Sequence, residues 1–528
     1  MTSPVATYRT QYEAFAANGG NAAPAWLRDV RRGAIARFEA LGFPTMKNED
    51  WHFTNAAPIA EQAFRRLHGA TAGAVTAAQL APYLFSESWP TLVFVNGRHR
   101  ADLSHLAETG GVRVLDLARA WREMPGTLEA HLTRIAPYDA QAFTALNTAF
   151  AQEGAVVLLA AEDVAEHPAH LLFVSDDGAS DGVAHVRNLI VAEHGASGSV
   201  VESYVGLGQA RHLTNAVTEV HVADGATLRH VKVQRENARA FHVHTVQAVQ
   251  GRDSHFQSFS FASGAALSRT NIGTLLDGQG CGATLNGLYM VDGEQHVDHQ
   301  TRIEHKAPDC FSRELYKGIM AGASHGVFNG KVYVHHEAQK TDGKQTNANL
   351  LLSERARVDT KPQLEIFADD VKCTHGATVG RLDAMALFYL RSRGIADSLA
   401  QRLLTHAFAA DVLDTIEVDE VRDRLEALAR IDQLPDGATL AVTNSRGERI
   451  CLINDGTQIR AVQGLCAHQE FPLVEGTVLP GGRIECAWHG AQFDLRTGRA
   501  IHPPAESPIA VYEVSVREGV IHVGGRKE

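Results

Sequence analysis

Ser199-Val-Val-Glu-Ser-Tyr-Val205, Ala216-Val-Thr-Glu-Val-His-Val222, Thr227-Leu-Arg-His-Val-Lys-Val-Gln234, Phe241-His-Val-His-Thr-Val-Gln-Ala-Val249 and His255-Phe-Gln-Ser-Phe-Ser-Phe-Ala262 are five β-rich runs separated by Gly, Asp or Asn. Similar runs recur from about 155 to 380, at Ala155–Ala160, Leu189–Ala192, Ala283–Tyr289 and Gly330–His335, and no helical pattern of useful length interrupts them. Many short strands at about ten-residue spacing mean either a β-sandwich or a β-helix. Both architectures bury apolar residues on one strand face, so the period-two pattern alone leaves the choice open.

Working outward, the flanks are helical. Tyr8 to Ala17 and Ala25 to Leu41 carry apolar residues at three-to-four spacing, and Gly42 followed by Pro44 predicts the end of the second helix. Residues 60–150 are mixed, with a predicted strand at Thr91–Val95 that ends in the turn Asn96-Gly97. From Leu382 to about Arg430 the apolar stripe returns through Met385, Phe388, Tyr389, Leu403, Leu404, Phe408, Val421, Leu425 and Leu428, which fits two or three packed helices. Pro435-Asp-Gly437 predicts a turn between this region and a last module. The expected domains are 1–150 (helical and mixed), 151–381 (β core), 382–430 (helical) and 431–528.

The chain of 528 residues is too long for one core. Its 45% apolar and 21% charged content are those of a soluble globular protein, and a net charge of −12 disfavours nucleic acid or an anionic membrane as partner. The amino terminus lacks a basic stretch followed by an apolar one, and no apolar run is long enough to span a bilayer. Six cysteines are too few for a disulfide framework and predict a reducing, cytoplasmic setting.

In the last module Cys466 and His468 are followed after seventeen residues by Cys486 and His489, a C-x-H…C-x-x-H pattern. Two thiolates and two imidazoles in mixed pairs suit a [2Fe-2S] centre in which histidines replace two cysteines on one iron. Tetrahedral zinc is the alternative, although zinc fingers favour C-x₂₋₄-C and H-x₃₋₅-H pairs. With Gly476, Gly490, Phe493, Asp494 and the turn Thr497-Gly498, residues 431–527 resemble the Rieske ferredoxin family. That resemblance implies a small antiparallel β-domain with the ligand loops at its tip, acting as an electron carrier. Gln469, Glu470 and the residues after Gly490 offer no bracing cysteine pair, as in the soluble ferredoxin branch, which implies a potential low in the Rieske range. Ala467 and Ala487 stand where the family usually has proline.

Within the β region, Cys373-Thr-His375 alternates so that a thiol and an imidazole share one strand face. Lys361–Asp383, Thr341-Asp-Gly-Lys-Gln-Thr-Asn347, His296…His299-Gln-Thr-Arg302-Ile-Glu-His305 and Leu41-Gly-Phe-Pro-Thr45…Glu49-Asp-Trp51 together resemble the SufD subunit family of the SUF iron–sulfur cluster assembly system, over residues 1–430. The resemblance implies a right-handed parallel β-helix with helical flanks, a SufB partner and the SufC ATPase docked on the carboxyl-terminal helices; a homodimer is the other arrangement left open. It also implies a nascent Fe-S cluster at the SufB interface, with His375 as iron ligand and Cys373 as second ligand or sulfur acceptor. Glu365, Asp369 and Asp370 are weaker candidates, and Cys281 and Cys310 are expected to be packed.

No G-x-x-x-x-G-K-[ST] phosphate loop occurs, so ATP hydrolysis is expected from a partner, and Gly278-Gln-Gly280-Cys-Gly282 is expected to be a β-turn. The last module departs from the SufD pattern. A scaffold with its own electron carrier is the leading reading, with a reductase as electron donor and a flavin at the complex left open. The alternative is a Rieske component of a redox enzyme, or a redox sensor, that uses the SufD-like part as a docking platform.

Overall fold

The computed structural model describes residues 4–18, 20, 23–62, 64–67, 75–106, 110–393, 395, 397–426, 439–443, 448–455, 458–517 and 520–527. The chain divides into two compact units, Met1–Ala386 and Leu387–Glu528.

In the first unit, sixteen strands from Ala155–Leu159 to Val371–Gly380 alternate between two sheets, eight in each. Each pairs in parallel with the next strand but one: His230 stands opposite Ser258, Ser258 opposite Leu285, Leu285 opposite Glu314, Glu314 opposite Gln345 and Gln345 opposite His375. A sandwich of hairpins would pair antiparallel neighbours. Parallel pairing between successive coils makes this a β-solenoid of about eight turns. Its interior holds Val200, Leu228, Phe256, Leu285, Tyr289, Tyr316 and Phe328, alternate residues that face inward from the two sheets.

The strands are longer than the sequence marks them. Leu189–Ala192 is the end of Gly182–Ala192, and Ala283–Tyr289 lies inside Gly282–Val291. The added residues include His185, Arg187 and Asn188, which are polar yet buried, so a hydrophobic pattern misses them. Gly264, which closes His255–Gly264, has φ +90, and a Cβ there would fall 2.0 Å from the carbonyl oxygen of Glu236.

The helices Pro4–Ala17, Ala25–Leu41 and Ala142–Ala149 cover the outside of one sheet, packing Tyr8, Phe38, Phe143 and Phe150 on Val183, Leu213, Val243 and Leu267. The Glu49–Trp51 turn is stapled to the solenoid. The Arg269 guanidinium lies 4.0 Å from the Trp51 ring centroid and donates to the Asp50 carbonyl at 2.7 Å. Arg269 also pairs with Asp298, which accepts from the Thr54 hydroxyl at 2.6 Å. Trp51 stacks on Phe143 at 5.4 Å.

The two ends of the solenoid differ. Val112–Asp116 runs antiparallel along Ala155–Leu159, and Thr91–Val95 pairs with Ala169–Asp176, so the first coil is covered. Arg357–Ile366 and Val371–Gly380 are the last strands of their sheets, each paired on one side only among the described residues.

The second unit contains the helices Asp397–Leu413 and Asp419–Glu426 and two antiparallel sheets. One sheet has the order Thr439–Thr443, Arg449–Asn454, Ile459–Gln463, Val511–Arg517, Val520–Arg526. The other has the order Thr477–Leu479, Arg483–Glu485, Gln492–Asp494, Ala500–His502. The helix Ala384–Ser392 spans the division between the units. Leu428 and the turn expected at Pro435–Gly437 lie outside the described residues. No helix among the described residues is long and apolar enough to cross a membrane.

Glu219, fully buried, accepts from the backbone N–H groups of Thr133, Ile135 and Ala136 at 2.7, 2.9 and 2.9 Å and pairs with buried Arg187 at 2.8 Å. Removing this carboxylate strands a buried cation and three donors. Glu219→Ala is expected to cost about 3–5 kcal/mol, read as a lower urea midpoint for the full chain.

Candidate functional site

Two loops in the second unit repeat one backbone design. In the first, the Cys466 N–H donates to the Phe471 carbonyl at 2.8 Å and the Glu470 N–H donates back to the Cys466 carbonyl at 2.9 Å. In the second, the Cys486 N–H donates to the Ala491 carbonyl at 2.8 Å and the Gly490 N–H donates to the Cys486 carbonyl at 3.0 Å. The fifth residue of each loop is left-handed, Glu470 at φ 55 and Gly490 at φ 69. The second loop joins Arg483–Glu485 to Gln492–Asp494, and the first follows Ile459–Gln463.

Both loops are anchored by their cysteines, which are buried with Ile453, Val462, Leu473, Ile484, Phe493 and Leu495. Cys466 and Cys486 lie within hydrogen-bonding reach of one another, and burial pushes the Cys466 thiol up, with the charge of Cys486 adding to it. The backbone N–H groups of His468 and Gln469 are aimed at the Cys466 sulfur and favour its thiolate. The His468 and His489 rings meet edge to face at 4.8 Å. Phe471 flanks His489 at 5.2 Å and stacks on Trp488 at 4.9 Å. Trp488 is 58% exposed and donates its Nε1–H to Glu475 at 2.9 Å.

This donor set fits a two-iron centre better than a single ion. Nδ1 of His468 is buried without a hydrogen-bond partner, an atom that a metal would satisfy. Among the described residues, no three His, Cys, Asp or Glu side chains gather as one ion requires. A [2Fe-2S] centre asks for only two protein ligands on each iron, and the thiols pair with each other as do the imidazoles. Structural zinc would need all four on one point.

The other candidate lies at the open end of the solenoid. Cys373 and His375 are on Val371–Gly380, where Cys373 is half-buried and His375 exposed. Cys373 packs beside Val332, Val334, Leu364 and Val371, and burial pushes its thiol up. A Cβ on Gly343, its strand partner, would stand 3.3 Å from the Cys373 sulfur. Glu365 is engaged by Lys331 at 2.6 Å, whereas Cys281 and Cys310 are fully buried. The Cys281 thiol donates to the carbonyls of Gly278 and Gly251 at 2.8 and 2.9 Å.

Sequence reasoning passed over the polar groups behind this end. Glu314 and Gln345 are buried at the register of His375 and joined by a 2.6 Å hydrogen bond. Their signal was the alternation of Ser312, Glu314, Tyr316 and of Gly343, Gln345, Asn347 once the strands are aligned.

Three family models match the chain. Residues 3–171 match the model "SufBD protein N-terminal region", 173–408 match "SUF system FeS cluster assembly, SufBD core domain" and 425–513 match "Rieske [2Fe-2S] domain". The chain is 35% identical over 400 residues to the iron-sulfur cluster assembly protein SufD of Escherichia coli, covering 75% of this chain and 90% of that protein. It is 28% identical over 416 residues to SufD of Bacillus subtilis, covering 76% and 93%. Among solved structures, the ferredoxin of carbazole 1,9a-dioxygenase from Nocardioides aromaticivorans IC177 is 32% identical over 19% of this chain and 94% of that one, with a TM-score of 0.18.

The left-handed Glu470 carries strain that its counterpart Gly490 does not. Relief of the side-chain clash outweighs the entropy that glycine adds to the unfolded chain, so Glu470→Gly is expected to stabilise the first loop by up to about 1 kcal/mol. The check is the thermal midpoint of the metal-loaded chain followed by visible absorbance.

Proposed function

Because the chain belongs to the SufBD family of iron–sulfur cluster assembly proteins and carries a Rieske domain, we propose that it is a SufD-like assembly scaffold with a built-in electron carrier. The observation that carries this reading is the pair of matched thiol–imidazole loops in the same chain as an open-ended solenoid bearing Cys373 and His375.

In this reading Cys466, Cys486, His468 and His489 would hold the resident [2Fe-2S] cluster. A bound cluster supplies one electron at a time. The chain's own groups set the conditions: backbone N–H groups of His468 and Gln469 face the Cys466 sulfur, and Phe471, itself stacked on Trp488, flanks His489. The nascent cluster is cargo. His375 serves as its iron ligand on this chain and Cys373 as second ligand or sulfur acceptor.

The strands Arg357–Ile366 and Val371–Gly380, each paired on one side only among the described residues, offer an edge for a SufB-like subunit, with Phe367 and Val379 exposed there. Phe388, Tyr389 and Leu403 are exposed on the second unit's part of the helix Ala384–Ser392 and on the helix Asp397–Leu413, apolar groups for a SufC-like ATPase. All six cysteines are free, in keeping with a reducing cytoplasm. Releasing sulfide from a persulfide consumes electrons, and tethering the carrier replaces a bimolecular encounter by an effective concentration of about millimolar.

The test begins with EPR of the anaerobically purified, dithionite-reduced chain together with iron and sulfide analysis. A Rieske signal lost in Cys466→Ala and His489→Ala is expected. With SufB-like and SufC-like subunits, the same variants are expected to form clusters no faster than a chain given an untethered ferredoxin, and His375→Ala slower still. Unchanged rates in the Rieske-site variants would sink the electron-supply role; an unchanged rate in His375→Ala would sink the assembly site.

A further inference from the structure

Cys281 and Cys310 stand one residue before Gly282 and Phe311, which are partners in register on the neighbouring strands Gly282–Val291 and Phe311–Met320. The Phe311 N–H donates to the Cys281 carbonyl at 3.0 Å, so the ladder already holds at the two cysteines. Neighbouring parallel strands lie about 4.8 Å apart, inside the roughly 4.4–6.8 Å between Cα atoms that a disulfide spans. Both thiols meet one atom: the Gly278 carbonyl oxygen is 2.8 Å from the Cys281 sulfur and 3.4 Å from the Cys310 sulfur. The two sulfurs are also within hydrogen-bonding reach of each other. The turn 277–280 leads into them, with Asp277 and Gln279 exposed. A Cβ on Gly278 would fall 2.2 Å from the backbone nitrogen of Arg252, so glycine lets this turn close on the one before it.

The same rung on the coils before and after carries hydroxyls. Ser254 and Thr341 each close their own turn on the carbonyl three residues back, Gly251 at 2.7 Å and Ala338 at 2.8 Å. Cys281 closes its turn on Gly278 in the same way, so a serine would meet that need alone. Thiols on two successive rungs add the capacity to join. We propose that Cys281 and Cys310 are a redox-active dithiol, which a hydroperoxide oxidises to a disulfide between successive coils and a dithiol reductant restores. Both cysteines are free in the structure, which is the reduced form of the pair. Disulfides of a reducing compartment are characteristically transient and redox-sensing. The pair belongs neither to the Rieske loops nor to the Cys373 strand, and it does not depend on the assembly reading.

The surroundings give the two thiols different roles. The Cys310 S–H lowers the Cys281 thiol below its ordinary value, and the Gly278 N–H and the Ser254 hydroxyl add to this against the opposing effect of burial. The same bond, with burial, pushes the Cys310 thiol far up. Cys281 is therefore the nucleophile and Cys310 the resolving thiol. Cys281 loses its proton and attacks one oxygen of hydrogen peroxide. The O–O bond breaks, the leaving hydroxide takes up that proton as water, and Cys281 becomes a sulfenic acid. The Cys310 sulfur then displaces the sulfenic OH, which leaves with the Cys310 proton as a second water, and the S–S bond forms. Two thiols lose two electrons and two protons, and one peroxide becomes two waters. A dithiol reductant reverses this by exchange through a mixed disulfide and is itself left as a disulfide.

The test uses the full chain, treated with hydrogen peroxide until the exposed Met385 is oxidised, then blocked with N-ethylmaleimide and digested with trypsin. Cleavage after Arg269, Arg302, Lys306 and Arg313 puts Cys281 and Cys310 on separate peptides. Mass spectrometry is expected to find peptide 270–302 joined to peptide 307–313, two hydrogens lighter than their sum, and to lose the joined species after dithiothreitol. Cys310→Ser should stop at a sulfenic acid on Cys281 that dimedone traps. In Cys281→Ser, oxidation of Cys310 should be about ten-fold slower. Each serine keeps the turn-closing donor, so both variants should melt with the wild type. Met385 sulfoxide without the joined peptides overturns the dithiol, as does joining that needs urea or a Cys281 that pairs with some other cysteine. Cys310 oxidised at the wild-type rate in Cys281→Ser overturns the assignment of roles.

Discussion

In-register parallel stacking is the constraint on which the first unit depends. Once His230, Ser258, Leu285, Glu314, Gln345 and His375 occupy one line, each inward residue meets the equivalent residue of the next coil. The interior is therefore a set of ladders rather than a single jigsaw. Stacking also means that a coil satisfies its backbone only through its neighbours, so the two ends carry the unsolved problem. The amino-terminal end is closed by strands of this chain, and the carboxyl-terminal end keeps two strands paired on one side only among the described residues. The candidate pair Cys373 and His375 lies on one of those strands.

Much of this was legible in the sequence because local signals and tertiary structure agree. The helix Ala25–Leu41 ends where Gly42 takes φ 65, and Thr91–Val95 is a strand with both expected boundaries. Strand existence was legible in the β region, but architecture was not, since alternation records which face is buried and says nothing about which strand lies alongside. Only the resemblance selected a β-helix. Strand length was illegible for another reason: His185, Arg187 and Glu219 read as surface residues, yet the helical flank buries them and supplies partners such as Thr148 for Arg187 at 3.0 Å. The Glu49–Trp51 motif carried the family resemblance without disclosing its job, which is to hold Arg269 and Asp298.

The carboxyl-terminal ligand residues were visible as a spacing, and the spacing follows from the loop geometry. Each cysteine starts a turn closed by a bond from the fifth residue back to its carbonyl, so the histidine must fall within the turn to reach its tip. It falls third in one loop and fourth in the other, which brings the rings edge to face. What sequence could not show is the asymmetry between the loops. Glycine occupies the left-handed position in one, and glutamate tolerates it in the other.

Three buried glutamates of the solenoid show how partners, rather than burial, decide charge. Burial by itself works against ionisation of Glu202, but the hydrogen bond from His230 and the charge of His244 hold it at about 2. Glu236 is likewise held low, against burial, by His242 and His212. Glu314 has the same burial and only hydroxyl and amide neighbours, so burial wins and its carboxyl rises from 4.5 to about 7. The linkage signs are opposite. Glu202 contributes stability above the ordinary glutamate range of 4.5, and that contribution is lost as pH falls through about 2. Glu314 contributes below 4.5, and its contribution is lost as pH rises toward about 7. A carboxyl that costs stability at neutral pH is poor material for a core. Glu314 is held in the last coils of the solenoid by Gln345, whose amide donates to it at 2.6 Å.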